Sequence, residues 1–287
     1  MRCPFPILIK NKYGYIREVP CGQCSACRLN HASEFAIRIM DECKCHKDNC
    51  FLTLTYDEES LPERGSLVKF ELQLFQKRLR KAVSPRKLRF YSVGEYGDMY
   101  GRCHYHLIVF GLSPVDDIFK NKEYDKEHDG WRSHMDIWKF GFVFSCPVTY
   151  DDACYVAKYC MKKLTGEKGR QFYEDRGIEP PFVMMSNRPG IGYDFLKANA
   201  KRIERHGYVI GKNGKKCPVP RYYAEKIWTD YGRFVKSTKK IHDDLVVMRE
   251  KAEKQNKNIN AYADEILKAA EEKVKSFIKM KGKRDEF

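Results

Sequence analysis

The sequence predicts an α+β fold, a mostly antiparallel sheet with helices packed on it. Three observations carry that expectation. Segments 50–56, 88–95, 102–111 and 140–148 are rich in β-branched and aromatic residues and read as strands. The turn at 97–101 folds the second of these back on the third as an antiparallel hairpin. Segments 33–43, 66–82 and 149–163 repeat apolar residues at helical spacing.

In order along the chain, residues 1–30 read as a short strand pair and a cysteine loop. The helix at 33–43 lines up Phe35, Ile39 and Met40 near one face. In strand 50–56, Thr53 and Thr55 share one face, and Leu52, Leu54 and Tyr56 the other. Asp57 reads as the turn residue that follows. Helix 66–82 sets Leu67, Phe70 and Leu74 on an apolar side, with Lys77, Arg78, Arg80 and Lys81 on a solvated one. Residues 112–140 are polar and read as a short helix and a surface loop, with Trp131 and Trp138 as packing groups and no role for His128 or His134. Helix 149–163 starts with Thr149 and Asp152 in a capping-box arrangement. Residues 206–220 form a hairpin around 212–215, and 221–226 begin a helix. From about 236 charge dominates and glycine is absent until Gly282. The expected divisions are a cysteine-rich element with a helix at 1–50, a core at 51–235 and a charged helical extension at 236–287.

Of the 287 residues, 43% are hydrophobic and 13% aromatic, enough for a proper core. The 54 basic residues exceed the 39 acidic ones, a net +15 that favours a polyanionic partner. Binding to single strands should weaken with salt at a log–log slope of about −0.7 per phosphate contact. No run of ~18 apolar residues predicts a membrane span, and Pro4 and Pro6 break any signal-peptide pattern.

The chemistry concentrates between Arg102 and Met161. Alternation along strand 102–111 points His104 and His106 to one face, a two-point grip on a metal ion. The hairpin returns Glu95 beside His104, and a hard divalent ion needs an oxygen donor too. The expected ion is Mg²⁺ or Mn²⁺. On the following helix Tyr155 and Tyr159 are four apart and share a face, with Lys158 and Lys162 close to it. The combination suggests a tyrosine that attacks a phosphodiester polarised by the ion. Lys158 either favours the phenolate or holds a phosphate.

The chain has 12 cysteines. Cys21-x-x-Cys24-x-x-Cys27, with Cys3 upstream, has two readings: a structural Zn²⁺ site, or reduced thiols in a glycine-containing turn. Cys43, Cys45, His46 and Cys50 are too tightly spaced for a zinc loop and read as free thiols at a helix end.

His104-Tyr105-His106 followed by apolar residues resembles the HUH pattern, and Tyr155-Val156-Ala157-Lys158-Tyr159 resembles the two-tyrosine motif of rolling-circle initiators. Pro20-Cys21-Gly22-Gln23-Cys24, Phe51-Leu52-Thr53-Leu54-Thr55, Gly94-Glu95-Tyr96-Gly97 and Arg188-Pro189-Gly190-Ile191-Gly192 extend the likeness. The chain is similar to replication initiators of the microviruses, gokushovirus type, within the HUH endonuclease superfamily. The resemblance implies an HUH endonuclease-like core of about five strands. It implies metal-dependent cutting of one strand at a viral origin, a 5′-phosphotyrosine link, and later strand joining. Tyr155 and Tyr159 would be the nucleophiles; His104, His106 and Glu95 would hold the ion. Arg102, Lys162, Lys163 and Arg188 are the expected DNA contacts, although a purely structural turn at Arg188 is equally open. Expected partners are single-stranded or supercoiled viral origin DNA and a host helicase and polymerase, in the host bacterial cytoplasm, with no membrane. The rival readings are a plasmid or transposon HUH nuclease and a non-catalytic, zinc-stabilised DNA-binding protein.

Overall fold

The computed structural model describes residues 3–10, 16–97, 100–162, 166–228 and 246–258, with 261, 262, 265, 268 and 269. The chain divides into two compact units, Met1–Glu34 with Asn199–Met280, and Phe35–Ala198 with Lys281–Phe287. The expected boundary at 236 lies outside the described residues.

The chain begins with strands β1 (Ile7–Lys10) and β2 (Ile16–Val19), then helix α1 (Ser25–Cys43), β3 (Asn49–Thr55) and α2 (Lys69–Ala82). It continues with β4 (Arg89–Tyr96), β5 (Cys103–Phe110), β6 (Lys120–Asp125), β7 (Gly130–Met135) and β8 (Trp138–Pro147). After these come α3 (Tyr150–Lys162), α4 (Gly166–Arg176), β9 (Phe182–Met185), α5 (Tyr193–His206), β10 (Tyr208–Ile210), β11 (Lys216–Pro218) and α6 (Arg221–Ile227).

The larger unit is built on a seven-stranded sheet in the order β6-β7-β8-β3-β5-β4-β9. Every pairing in it is antiparallel. The fold is therefore α+β, and the expected hairpin is there as β4–β5. β5 lies between β3 and β4 and is buried along its whole length. Its Cys103, Tyr105, Leu107 and Val109 join a core with Leu72, Phe75 and Leu79 of α2. Ile108 and Phe110 join a second core with Ala36 and Ile39 of α1 and Ala153, Tyr155 and Val156 of α3. Helices thus cover both faces. Each fully buried Leu, Ile or Phe contributes about 1.5–3 kcal/mol.

Several expectations need correction. The sheet has seven strands rather than about five. Two of the extra strands, β6 and β7, occupy the stretch expected as a short helix and loop. β6 reads Lys-Asn-Lys-Glu-Tyr-Asp and is almost wholly exposed, so it has no apolar alternation to find. β9 has four half-buried residues, too few for a periodic signal. α1 starts at Ser25, eight residues before the expected 33, because its early buried face is made of the small residues Ala26, Cys27 and Ala32. α2 buries Leu72, Phe75 and Leu79, and leaves Phe70 exposed. Cys160 and Leu164, expected on the packed side of α3, have no described side chains. Trp138 packs as expected, and its indole N–H donates to the Thr55 carbonyl at 3.1 Å.

In the smaller unit β1 and β2 pair antiparallel, Ile7 opposite Val19. The hairpin expected at 206–220 is β10–β11, closed by a 3₁₀ turn at Lys212–Gly214.

Candidate metal centre and tyrosine helix

Strand register assembles the centre. Glu95 of β4 stands opposite His104 of β5, while Thr55 and Thr53 of β3 stand opposite His104 and His106 from the other side. The connecting turn is closed by the Gly97 N–H to the Arg102 carbonyl at 2.9 Å. Gly101 takes φ +63°, the left-handed backbone that glycine adopts without a steric penalty.

Both imidazole Nε2 atoms converge on one carboxylate oxygen. His104 Nε2 lies 3.0 Å and His106 Nε2 2.9 Å from Glu95 Oε1. All three residues are buried, and their donor atoms lie within 4.8 Å of one another. His104 Nδ1 is 3.1 Å from the Arg102 carbonyl, which can only accept. Nδ1 therefore carries the proton, and in the neutral ring Nε2 offers a lone pair. His106 Nδ1 is 3.0 Å from the Thr53 hydroxyl. Among the described residues Glu95 Oε2 is buried without a hydrogen-bond partner. Electron-rich atoms crowded together out of water are reconciled by a cation. Two imidazoles and a carboxylate form such a set and leave further positions open. The residues fit a divalent ion.

Helix α3 lies on the same face. Thr149 caps it: the Asp152 N–H donates to Thr149 Oγ1 at 3.2 Å, and the Thr149 N–H to Asp152 Oδ2 at 2.9 Å. The Tyr155 ring stands edge-on to His106, centroids 5.2 Å apart, and also touches Phe51 at 6.5 Å. It is 4% exposed, so the first tyrosine is a packed group as well as a neighbour of the metal set. Lys158 is half-buried. The backbone of Tyr159 continues α3, but the side chains of Tyr159 and Lys162, and all of Lys163, lie outside the described residues.

Arg102 is engaged within the fold. It pairs with Glu58 and donates to the Tyr56 carbonyl at 2.7 Å. Asp57 accepts the Ser60 N–H at 2.7 Å, as a turn residue does. Arg188 is exposed beside a turn clamped by three residues that the sequence reading missed. Gly192 N–H donates to Glu42 Oε2 at 2.6 Å, Arg38 Nε to the Ile191 carbonyl at 3.0 Å, and Arg89 Nη2 to the Pro189 carbonyl at 2.7 Å. No local pattern links these partners, which are up to 153 residues apart. Thr53, by contrast, was findable from strand alternation.

In the smaller unit Cys3, Cys21, Cys24 and Cys27 also gather within 4.8 Å. Burial pushes the Cys3 and Cys27 thiols up. At Cys21 burial is outweighed by the backbone N–H groups of Cys24 and Gln23, which bring the thiol down to about 7. The second cysteine cluster does not gather: His46 is hydrogen-bonded to Glu42 at 3.1 Å, and burial pushes Cys43 up to about 12.

The sheet, the histidine pair and the tyrosine helix together mark a replication-associated protein. The family model described as replication-associated protein ORF2 matches residues 49–164, the span from β3 through α3. The chain is 34% identical over 234 residues to the replication-associated protein VP4 of Bdellovibrio phage phiMH2K, covering 76% of this chain and 72% of that one. It is 33% identical over 228 residues to the replication-associated protein ORF2 of Spiroplasma virus 4, covering 74% and 69%. It is 35% identical over 233 residues to the replication-associated protein ORF4 of Chlamydia phage 1, covering 72% and 53%. The chain belongs to this family of phage replication-associated proteins, the microvirus-type replication initiators. No solved structure matches it. Among the described residues no helix is long and apolar enough to cross a membrane.

Proposed function

We propose that the protein is an HUH-type endonuclease and strand-joining enzyme that starts rolling-circle replication at a viral origin. One observation carries this reading: the Glu95–His104–His106 set and the Tyr155 ring meet on one face of the sheet, 5.2 Å apart at His106. His104, His106 and Glu95 would hold Mg²⁺ or Mn²⁺. When bound, the ion would polarise the scissile phosphate and offset charge on its oxygens.

The nucleophile is a tyrosine phenol oxygen. It forms a bond to phosphorus, the bond from phosphorus to the 3′ oxygen breaks, and that oxygen takes up a proton. The products are a 5′-phosphotyrosine and a free 3′ hydroxyl for a host polymerase. After one circuit the second tyrosine cuts the regenerated origin, and the new 3′ hydroxyl attacks the first phosphotyrosine to close the circle. Joining needs no ATP, because each step exchanges one phosphoester for another. Tyrosine is a weak nucleophile at neutral pH, with an ordinary pKa near 10, and Lys158 supplies positive charge on the same helix. Arg102, Lys162, Lys163 and Arg188 are the proposed contacts to origin DNA, with a host helicase opening the duplex in the bacterial cytoplasm.

The test is a labelled single-stranded origin oligonucleotide incubated with Mn²⁺ and wild type, Tyr155→Phe, Tyr159→Phe or the double variant. Denaturing gels should show a covalent adduct with wild type and at least one single variant, and none with the double variant. An adduct that persists in the double variant overturns the assignment. Tight binding with no adduct from wild type would favour a non-catalytic DNA-binding protein instead.

A further inference from the structure

We infer that Cys3, Cys21, Cys24 and Cys27 bind one zinc ion as a four-thiolate structural site, separate from the Glu95–His104–His106 centre. The sulfur geometry points to it. Cys3 Sγ and Cys24 Sγ are 3.9 Å apart, and so are Cys21 Sγ and Cys27 Sγ. These are opposite edges of a tetrahedron, and all its edges are within 4.8 Å. A zinc ion with bonds of about 2.3 Å separates its sulfurs by roughly 3.8 Å. A disulfide needs about 2 Å, so the thiols are too far apart to be bonded and close enough to share an ion.

The surrounding backbone is arranged for thiolates. The Cys21 N–H points at Cys3 Sγ at 3.3 Å, and the Cys24 N–H at Cys21 Sγ at 3.4 Å. Such donors favour the charged form of sulfur. Gly22 takes φ +76° in the Cys21–Cys24 turn, a conformation that costs most other residues. Cys24 precedes α1 and Cys27 lies in its first turn, where the helix dipole favours negative charge.

The position also gives the ion a task. Cys3 precedes β1 and Cys21 follows β2, so one ion closes both ends of the hairpin onto the start of α1. That hairpin is a two-stranded sheet with Leu8 and Ile16 70% and 67% exposed, and an isolated pair of strands is marginal in water.

The decisive measurement is metal content of the full-length chain purified under reducing conditions with zinc in the medium. One zinc per chain is expected in wild type and in the His104→Ala/His106→Ala double variant, and less than a tenth of that in Cys24→Ser. A cysteine variant that fails to fold also loses metal, so a second readout uses wild type alone. Alkylation read by mass spectrometry should spare these four cysteines until a chelator is added, while the exposed Cys45 reacts at once. Replacing zinc by cobalt should give the visible absorption of tetrahedral cobalt–thiolate. Purified wild type without metal, with iron in place of zinc, with a disulfide among the four, or with all four alkylating as fast as Cys45 overturns the inference.

Discussion

Glu42 and Glu95 are both buried carboxylates with a histidine beside them, 0% and 2% exposed, yet they are satisfied in opposite ways. Glu42 meets His46 at 3.1 Å and the Arg89 guanidinium at 2.9 Å through Oε1, and accepts the Gly192 N–H at 2.6 Å through Oε2. Its partners are donors or cations, and they come from α1, β4 and the turn before α5. Glu95 meets two imidazole nitrogens on one oxygen and has no hydrogen-bond partner on the other. The first arrangement is complete as it stands and pins a loop. The second is completed by a cation. Two carboxylates of equal burial therefore separate into an anchor and a ligand by the electronic character of their neighbours.

The largest effect expected is on folding, at the anchor. Glu42→Gln leaves Arg89 facing an uncharged amide and should cost roughly 3–5 kcal/mol, read by urea denaturation, with Mn²⁺ affinity unchanged. The pH dependence has a definite sign. Burial alone would raise the Glu42 carboxyl; the hydrogen bonds from His46 and Gly192 and the charge of Arg89 outweigh it and hold the carboxyl below the usual carboxylate range. A depressed carboxyl contributes its full stability above the unfolded value of about 4.3. That contribution is lost as pH falls through the lower folded value. The acid limb of the stability curve should flatten in Glu42→Gln. An unchanged limb would mean that Glu42 is not the anchor described.

At the ligand site the effect moves to chemistry. His106→Ala or Glu95→Gln should lower Mn²⁺-dependent cutting on the order of 10²–10³-fold. Metal-free stability should hold or rise, since a buried charge cluster has been relieved. If metal-free Glu95→Gln loses as much stability as Glu42→Gln, the contrast between the two carboxylates fails.

A smaller effect links the two properties. A ligand that binds only the folded chain stabilises it by about 2.7 kcal/mol at ~100 times its Kd. Mn²⁺ should therefore raise the unfolding midpoint of wild type and of Glu42→Gln alike, and leave Glu95→Gln unmoved. Equal Mn²⁺ shifts in wild type and Glu95→Gln would locate the ion elsewhere.

The ligand set was legible because it is local. The turn at 97–101 and strand alternation bring Glu95 and His104 opposite each other with no long-range information. The Cys3–Cys27 cluster was half legible, because spacing brought three thiols together but left Cys3 ambiguous. The anchor was not legible. Glu42 reads as one more acidic residue at the end of α1, and its partners Arg89 and Gly192 are fixed only by packing of the whole sheet. The same applies to β6, whose exposed, charged strand is held by pairing with β7 rather than by burial of its own side chains. The likeness to microvirus initiators supplied about five strands, whereas pairing at the sheet edges adds β6, β7 and β9.

The smallest expected effect tests whether the metal set is held from behind. Thr53 lies opposite His106 across β3–β5, its hydroxyl 3.0 Å from Nδ1. For His106 Nε2 to offer a lone pair to a cation, Nδ1 must carry the proton and donate it to Thr53 Oγ1. Thr53→Val keeps the β-branched shape that suits the strand but removes the acceptor. Partners of this kind are worth about 10–100-fold in metal affinity, so Mn²⁺ titration should weaken by that factor while the fold survives. Thr53→Ser returns the hydroxyl and should restore binding, which a role in packing alone would not predict. If Thr53→Val binds Mn²⁺ as tightly as wild type, the imidazole is oriented by its stacking on Phe51, centroids 5.4 Å apart, and the hydroxyl has no part in the centre.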